Sequence, residues 1–351
     1  MAKTHLMTHR GGFRMERQSL LRDRGSFWPL IAVTAYVFVG YFGGISLLLL
    51  AANPWLLLAG TLLTAHAMVI AAYLLHECGH NTLFRRNEHN ARLGRVLNWI
   101  AASAYARFED IRSKHMRHHV DNTDVIAFDH VAFLHRHPRL RRLIEVLEWA
   151  YIPALPVMMH WTQILLPFVW ESRRHLRGRV LGVLAVRSTI FLLVLAWNPL
   201  AAALYLIAWF LMLHALRFMD AFQHNYELSF TLESGGDPAR RGDAVYEQSH
   251  TFSNPVSLRA PWLNLWTLNF GYHNAHHARP TVPWYRLPAL HQELFPEDHA
   301  QVLGFSEQLA AYHRHRVRRV MGDSADPEDF RERLRRREAV GADAVSFLTP
   351  I

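Results

Sequence analysis

Four runs of apolar residues divide the chain. The first, Phe27 to Leu50, carries no charge, and at about 1.5 Å of rise per residue it is long enough to cross a hydrocarbon core. Ala51-Ala52-Asn53-Pro54 leads at once into a second run, Trp55 to Leu75. A signal peptide would have a shorter apolar stretch and a small-residue cleavage site, so the pattern predicts two spans joined by a tight uncharged turn. A second pair, Val180 to Trp197 and Leu200 to Met219, is joined by Asn198-Pro199 and interrupted by Arg187, His214 and Arg217. Tyr151 to Trp170 is also apolar, but Pro153, Pro156, Pro167 and His160 break it up. A span there would place one basic segment on the wrong side, so an interfacial or re-entrant segment is expected.

Both turns lack charge. Apart from Arg187 and Arg217, the Lys and Arg residues fall in the N-terminus (Lys3, Arg10, Arg14, Arg17, Arg22, Arg24), between His76 and Arg179, and after Asp220. The positive-inside rule places these three segments in the cytoplasm. The expectation is an all-α integral membrane protein: a basic N-terminus (1–26), a membrane domain (27–291) and a charged cytoplasmic tail (292–351), with both termini inside. A bacterial inner membrane is the expected setting. Ser234 to Pro238 reads as a surface turn and Pro327 to Arg337 as a solvated helical stretch.

Composition agrees with segregated apolar blocks: 51% of residues are hydrophobic, yet 38 are Lys or Arg and the net charge is +9. Because those cations flank the spans, they argue for a membrane protein and against nucleic-acid binding. The single cysteine, Cys78, excludes a disulfide framework, a four-cysteine zinc site and an iron–sulfur cluster held by this chain alone.

The 24 histidines cluster. His76-Glu77-Cys78-Gly79-His80 stands where the second span ends; if the helix continues, His76 and His80 lie at i and i+4 on one face. His115-Met116-Arg117-His118-His119 repeats that pair and adds i+3, and His273-Asn274-Ala275-His276-His277 has the same spacing. Eight imidazoles at helical ligand spacing are more than one ion can use, so two metals are implied. His89, His135, His137, His175, His291 and His299 lack this spacing and read as surface or snorkelling residues.

The three clusters resemble the histidine boxes HxxxH, HxxHH and HxxHH of the membrane fatty acid desaturase superfamily, which includes related hydroxylases and carotenoid ketolases. Here they read HECGH, HMRHH and HNAHH, and Arg279 to Pro288 is similar to the run that follows the family's third box. The resemblance covers His76 to about His291. It implies a four-span helical bundle capped by a cytoplasmic helical domain, a non-haem di-iron centre and dioxygen as co-substrate. Box spacing is less like that of acyl-CoA desaturases, which have one more residue in the first box, and His273 replaces the Gln usual in front-end desaturases.

The resemblance also implies a ninth ligand, His224, with Asp220 four residues earlier acting on bound water. The family often has Asn there, which puts the water-bridging role in question. Asp124 stands where the family often has an Asp that bonds a ligand His, and Glu77 is a candidate partner of a ligand imidazole. Asp121 and Asp129 read as solvated loop residues. Trp262, Trp266 and Trp284 read as interfacial aromatics, with a tunnel or headgroup role as the alternative.

The activity implied is oxidation of a fatty acyl chain or similar lipid, most simply insertion of a C=C bond, with hydroxylation or ketolation by the same ligand set as the alternative. Electrons would come from a separate donor, such as ferredoxin or a cytochrome with its reductase. Two rivals use the same residues. HExxH at His76 to His80 also suits a membrane zinc protease with Glu77 activating water, but that leaves the HxxHH clusters unexplained. A metal transporter would place its ligands within the spans, whereas these follow span ends.

Overall fold

A computed structural model describes residues 20–226, 228, 229, 232, 233, 237–296, 301–322, 336 and 348. The basic N-terminus through Arg17, most of the Ser234 turn, His299 and nearly all of the Pro327–Arg337 stretch lie outside them. Thirteen α-helices make up most of the described chain: α1 Phe27–Leu50, α2 Pro54–Gly79, α3 Asn87–Ile100, α4 Phe108–Asp121, α5 His130–Arg136, α6 Pro138–Trp149, α7 Ala154–Val169, α8 Arg177–Trp197, α9 Pro199–Asp220, α10 Ala244–Ser249, α11 His273–Ala278, α12 Leu287–Leu294 and α13 Phe305–Val320.

Four of these, α1, α2, α8 and α9, are long and apolar enough to cross a membrane. The two Asn-Pro pairs start α2 and α9. Asn53 Oδ1 accepts the amide of Trp55 at 2.8 Å, and Asn198 Oδ1 accepts that of Ala201 at 3.0 Å. Each following proline fills the first helical position, where no amide is needed. The Asn198 Nδ2 group also donates to the Leu49 carbonyl at 3.4 Å, so the two turns lie side by side. Both hairpins therefore open toward the same side, where α2 and α9 end and the histidines gather.

Packing of α1 on α2 needs small residues: a Cβ on Gly44 would come within 2.4 Å of Thr64 Oγ1 and 3.0 Å of the Gly60 carbonyl. Close backbone approach supplies the van der Waals contact that joins helices in lipid, where burial of apolar surface gives no drive. The outward faces are apolar and exposed, as at Val39 (71%), Trp55 (76%) and Leu193 (65%), which suits hydrocarbon rather than water.

The segment expected to be broken by prolines forms one helix, α7. Its sixteen residues are shorter than the four spans. Pro156 sits in its first turn, where a proline costs no hydrogen bond, and Pro167 lies in its last. After the third box, α13 packs with Val317 and Val320 in the apolar cluster that holds Leu155 and Met159 of α7.

Candidate metal centre

The first box sits on the end of α2, which runs a turn beyond the predicted Leu75 through Gly79, with His80 as its C-cap. The second box occupies the last two turns of α4. That helix stops because Asn122 is left-handed (φ 51°), a conformation Asn tolerates at a helix C-terminus. Its Nδ2 then donates to the carbonyls of Arg240 and Asp243, both at 3.0 Å. The third box forms α11, one and a half turns long, and its five residues His273 to His277 are all buried.

All nine predicted imidazoles come together. His76, His80, His115, His119 and His276 form one group whose ligand atoms lie within 4.8 Å of one another, and His118, His224 and His277 form a second. His273 joins the second group through its Nε2, 2.7 Å from His224 Nε2. Further Nε2 pairs lie at 2.7 Å (His80 and His115), 3.1 Å (His118 and His224) and 3.3 Å (His119 and His276).

Asp220 and His224 are not a helical i and i+4 pair, because the fourth span does not continue as a helix as far as His224. The helix ends at Asp220. His224 lies beyond it, bridged to Thr251, and its ring stacks on Tyr226 at 4.3 Å. Asp220 lines a cavity of about 60 Å³ together with Lys114, Asp124, His118, His224 and His273.

The donor set suits cations. Nδ1 of His118 faces the Thr123 carbonyl at 3.2 Å and the Asp124 carboxylate at 3.3 Å. Both only accept, so Nδ1 carries the proton and Nε2 presents a lone pair. His277 is set the same way by Glu247, whose Oε1 lies 2.8 Å from Nδ1, and its buried Nε2 has no hydrogen-bond partner among the described residues. Burial first, and then the neighbouring imidazoles, lower the pKa values of His80, His115, His119, His224, His273 and His277, while burial and His118 bring His276 to about 3. Rings that stay neutral need shed no proton to bind a metal.

The supporting residues are partly those expected. Asp124 meets the His118 ring and is held by a two-residue parallel pairing of Asp124–Val125 (β1) with Leu228–Ser229 (β2). Glu77 is no helix-surface charge: it is 3% exposed, its Oε1 lies 3.7 Å from His76 Nδ1, and its Oε2 accepts from Thr82 Oγ1 (2.7 Å) and the Trp284 amide (3.1 Å). It thus ties the first box to the run after the third.

Other expectations fail by burial. Asp121 is 1% exposed and paired with Arg117 at 2.8 Å rather than solvated, whereas Asp129 keeps a half-exposed loop position and caps α5 through the Ala132 amide. His291, expected at the surface, is buried against Tyr272. Trp284 is buried, whereas Trp262 and Trp266 are exposed.

Lys114 and Glu247 were not singled out in the sequence. Lys114 immediately precedes the second box on α4, and burial brings its pKa down to about 8 despite Asp124 and Asp220. Glu247 belongs to no motif; it is presented by α10, whose first turn Asp243 caps through the Tyr246 amide at 2.9 Å. Burial raises its carboxyl to about 7, against the lowering effect of His118. Replacing Glu247 by leucine removes the acceptor that fixes the His277 tautomer. Metal affinity should fall about 10- to 100-fold, the usual effect of losing an outer partner. Glu247→Gln keeps a carbonyl acceptor and should lose less. Chelator competition on the purified protein measures both.

No curated protein matches the chain. The fatty acid desaturase family model matches residues 53–309, a stretch that runs from the start of α2 into α13 and contains all three boxes and His224. With that match over most of its length, the chain belongs to the fatty acid desaturase family.

Proposed function

We propose that this protein is a dioxygen-dependent membrane oxidoreductase that introduces a C=C bond into a fatty acyl chain, with two iron ions held by nine histidines. The observation that carries this reading is the gathering of nine imidazoles, seven buried and His118 and His119 half-buried, into two groups where two membrane-length helices end. His76, His80, His115, His119 and His276 would hold one ion; His118, His224, His273 and His277 would hold the other. When bound, the pair supplies the oxidising power for an unactivated methylene that no side chain has.

The chain's own residues do the rest. Asp124 and Glu247 keep protons on the Nδ1 atoms of His118 and His277, so that both Nε2 atoms face inward. Phe270, packed edge-on against His76 at 4.8 Å, closes one wall of the centre against water. The zinc-protease reading needs Glu77 free to activate water, but its carboxylate is engaged by Thr82 and Trp284. The cavity touching the histidines, about 60 Å³, is of a size for water-like ligands. A larger apolar cleft of about 700 Å³ among α1, α3, α7, α8 and α9 has none of the nine histidines in its lining.

We further propose that residues 27–291 form the catalytic membrane unit, with the termini and the centre on the cytoplasmic side. Anaerobic iron loading is expected to give about two iron atoms per chain, and lipids of an expressing host should include a product lacking two hydrogens. One tightly held zinc, with proteolysis lost in Glu77→Gln, would overturn the di-iron reading; a product that gains oxygen would reassign the outcome to hydroxylation.

The chain should also need a separate electron donor, since its one cysteine cannot hold an iron–sulfur cluster. The purified iron-loaded protein is expected to be inactive with NADPH and dioxygen alone and to turn over when a reductase and its carrier are added. Turnover without them would contradict this.

A further inference from the structure

The Pro255–Phe270 loop, between Thr251 at the centre and the third box, is built inside out. Its neck is pinned by the Asn254 amide, which donates to the Gly271 carbonyl at 2.8 Å, and by Asn254 Nδ2, which donates to the Met219 carbonyl at 2.9 Å. The polar groups turn inward. Asn264, 0% exposed, accepts the Ser257 amide and donates to the Ser257 carbonyl (2.7 Å) and the Tyr272 hydroxyl (2.9 Å). The side chains turned outward are Leu258 (50% exposed), Trp262 (65%), Leu265 (48%) and Trp266 (58%). A loop bathed in water has the opposite arrangement.

Its position is fixed by a contact with α2. His66 Nε2 lies 3.0 Å from the Trp266 carbonyl. That oxygen can only accept, so Nε2 donates, and Nδ1 accepts from Tyr36 of α1 at 2.5 Å. Tyr36 lies nine residues into α1, about 14 Å along its axis at 1.5 Å per residue. The loop thus reaches past the start of α1 and lies beside the spans, against α2, whose Leu62 and Leu58, one and two turns before His66, are 52% and 48% exposed. The satisfied backbone of the 3-10 turn Pro261–Thr267 suits that depth, because unpaired amides and carbonyls are costly in hydrocarbon.

We propose that this loop is a built-in membrane anchor that inserts among the acyl chains of the leaflet on the histidine side, with Trp262, Leu265 and Trp266 in contact with lipid. It rests on the membrane reading of α1 and α2. The loop runs straight into Phe270 and His273, so the anchor fixes the third box relative to the bilayer. Arg259, its one charge, is exposed and suits lipid phosphate.

The test uses nitroxide labels on Trp262→Cys and Trp266→Cys in the full chain, reconstituted in vesicles of phosphatidylethanolamine and phosphatidylglycerol. Cys78 is 0% exposed and stays in place, with the unsubstituted chain as control. Leu58→Cys serves as the lipid reference and Val245→Cys, at a site 82% exposed, as the water reference. Labels at 262 and 266 are expected to be relaxed by dissolved oxygen and shielded from a water-soluble nickel chelate, as at 58. Relaxation by the chelate, as at 245, would overturn the anchor. So would shielding from both with dipolar broadening between chains, which would mean that a second copy covers the face. If position 58 itself reports water, the membrane reading fails and the anchor with it.

Discussion

His224→Ala is expected to lose turnover by more than the 10- to 100-fold that removal of an outer partner costs, and to hold less iron, while the protein still inserts and folds. The ring is 6% exposed and its Nε2 lies 2.7 Å from that of His273 and 3.1 Å from that of His118. Removing it takes one of four nitrogens from the second group and leaves a space beside the remaining lone pairs. Asp220→Asn should do less, since Asp220 lines the adjoining cavity without joining either imidazole group. Iron content and single-turnover rate measured on both variants check the order. Full iron and near-normal turnover in His224→Ala would reduce the ligand set to eight.

That experiment also bears on what the sequence could reveal. The spans and the three boxes were legible because their signals are local: an uncharged run of some twenty residues, an Asn-Pro start, an imidazole pair one helical turn apart. Predicted span limits differ from the helices by one residue at Pro54, Pro199 and Asp220, by three at Arg177, and by a turn at Gly79, where box and span are one helix. His224 was placed in the site by resemblance alone, because what aims its ring is a bridge to Thr251 beyond the end of α9 at Asp220, a pairing with no local signal.

What stayed hidden depends on partners far away in the chain. Glu247 meets a ring thirty positions on, and Glu77 meets an amide 207 positions on. Asp121 and His291 look like surface residues in isolation, and only the elements packed over them bury them.

Arg217 belongs with these, because the sequence offers only a cation that spoils an apolar span. In the fold its guanidinium meets Glu148 of α6 at 2.9 and 3.2 Å, and both are buried, Glu148 at 0% exposure. The same carboxylate accepts the Leu155 amide at 2.9 Å, and Arg316 of α13 donates to the Glu148 carbonyl at 3.0 Å. One glutamate therefore joins the histidine-side end of α9 to the start of α7 and to α13. A buried pair gains little over apolar packing, but removing one partner strands the other charge. Glu148→Ala should thus destabilise the protein by about 3–5 kcal/mol, lowering its melting temperature in detergent. The Arg217→Met, Glu148→Leu double variant, which strands neither charge, should recover much of the loss. Melting that is unchanged in Glu148→Ala would show that the guanidinium finds water or another acceptor, and that α9 is held to α6 and α13 by apolar contact alone.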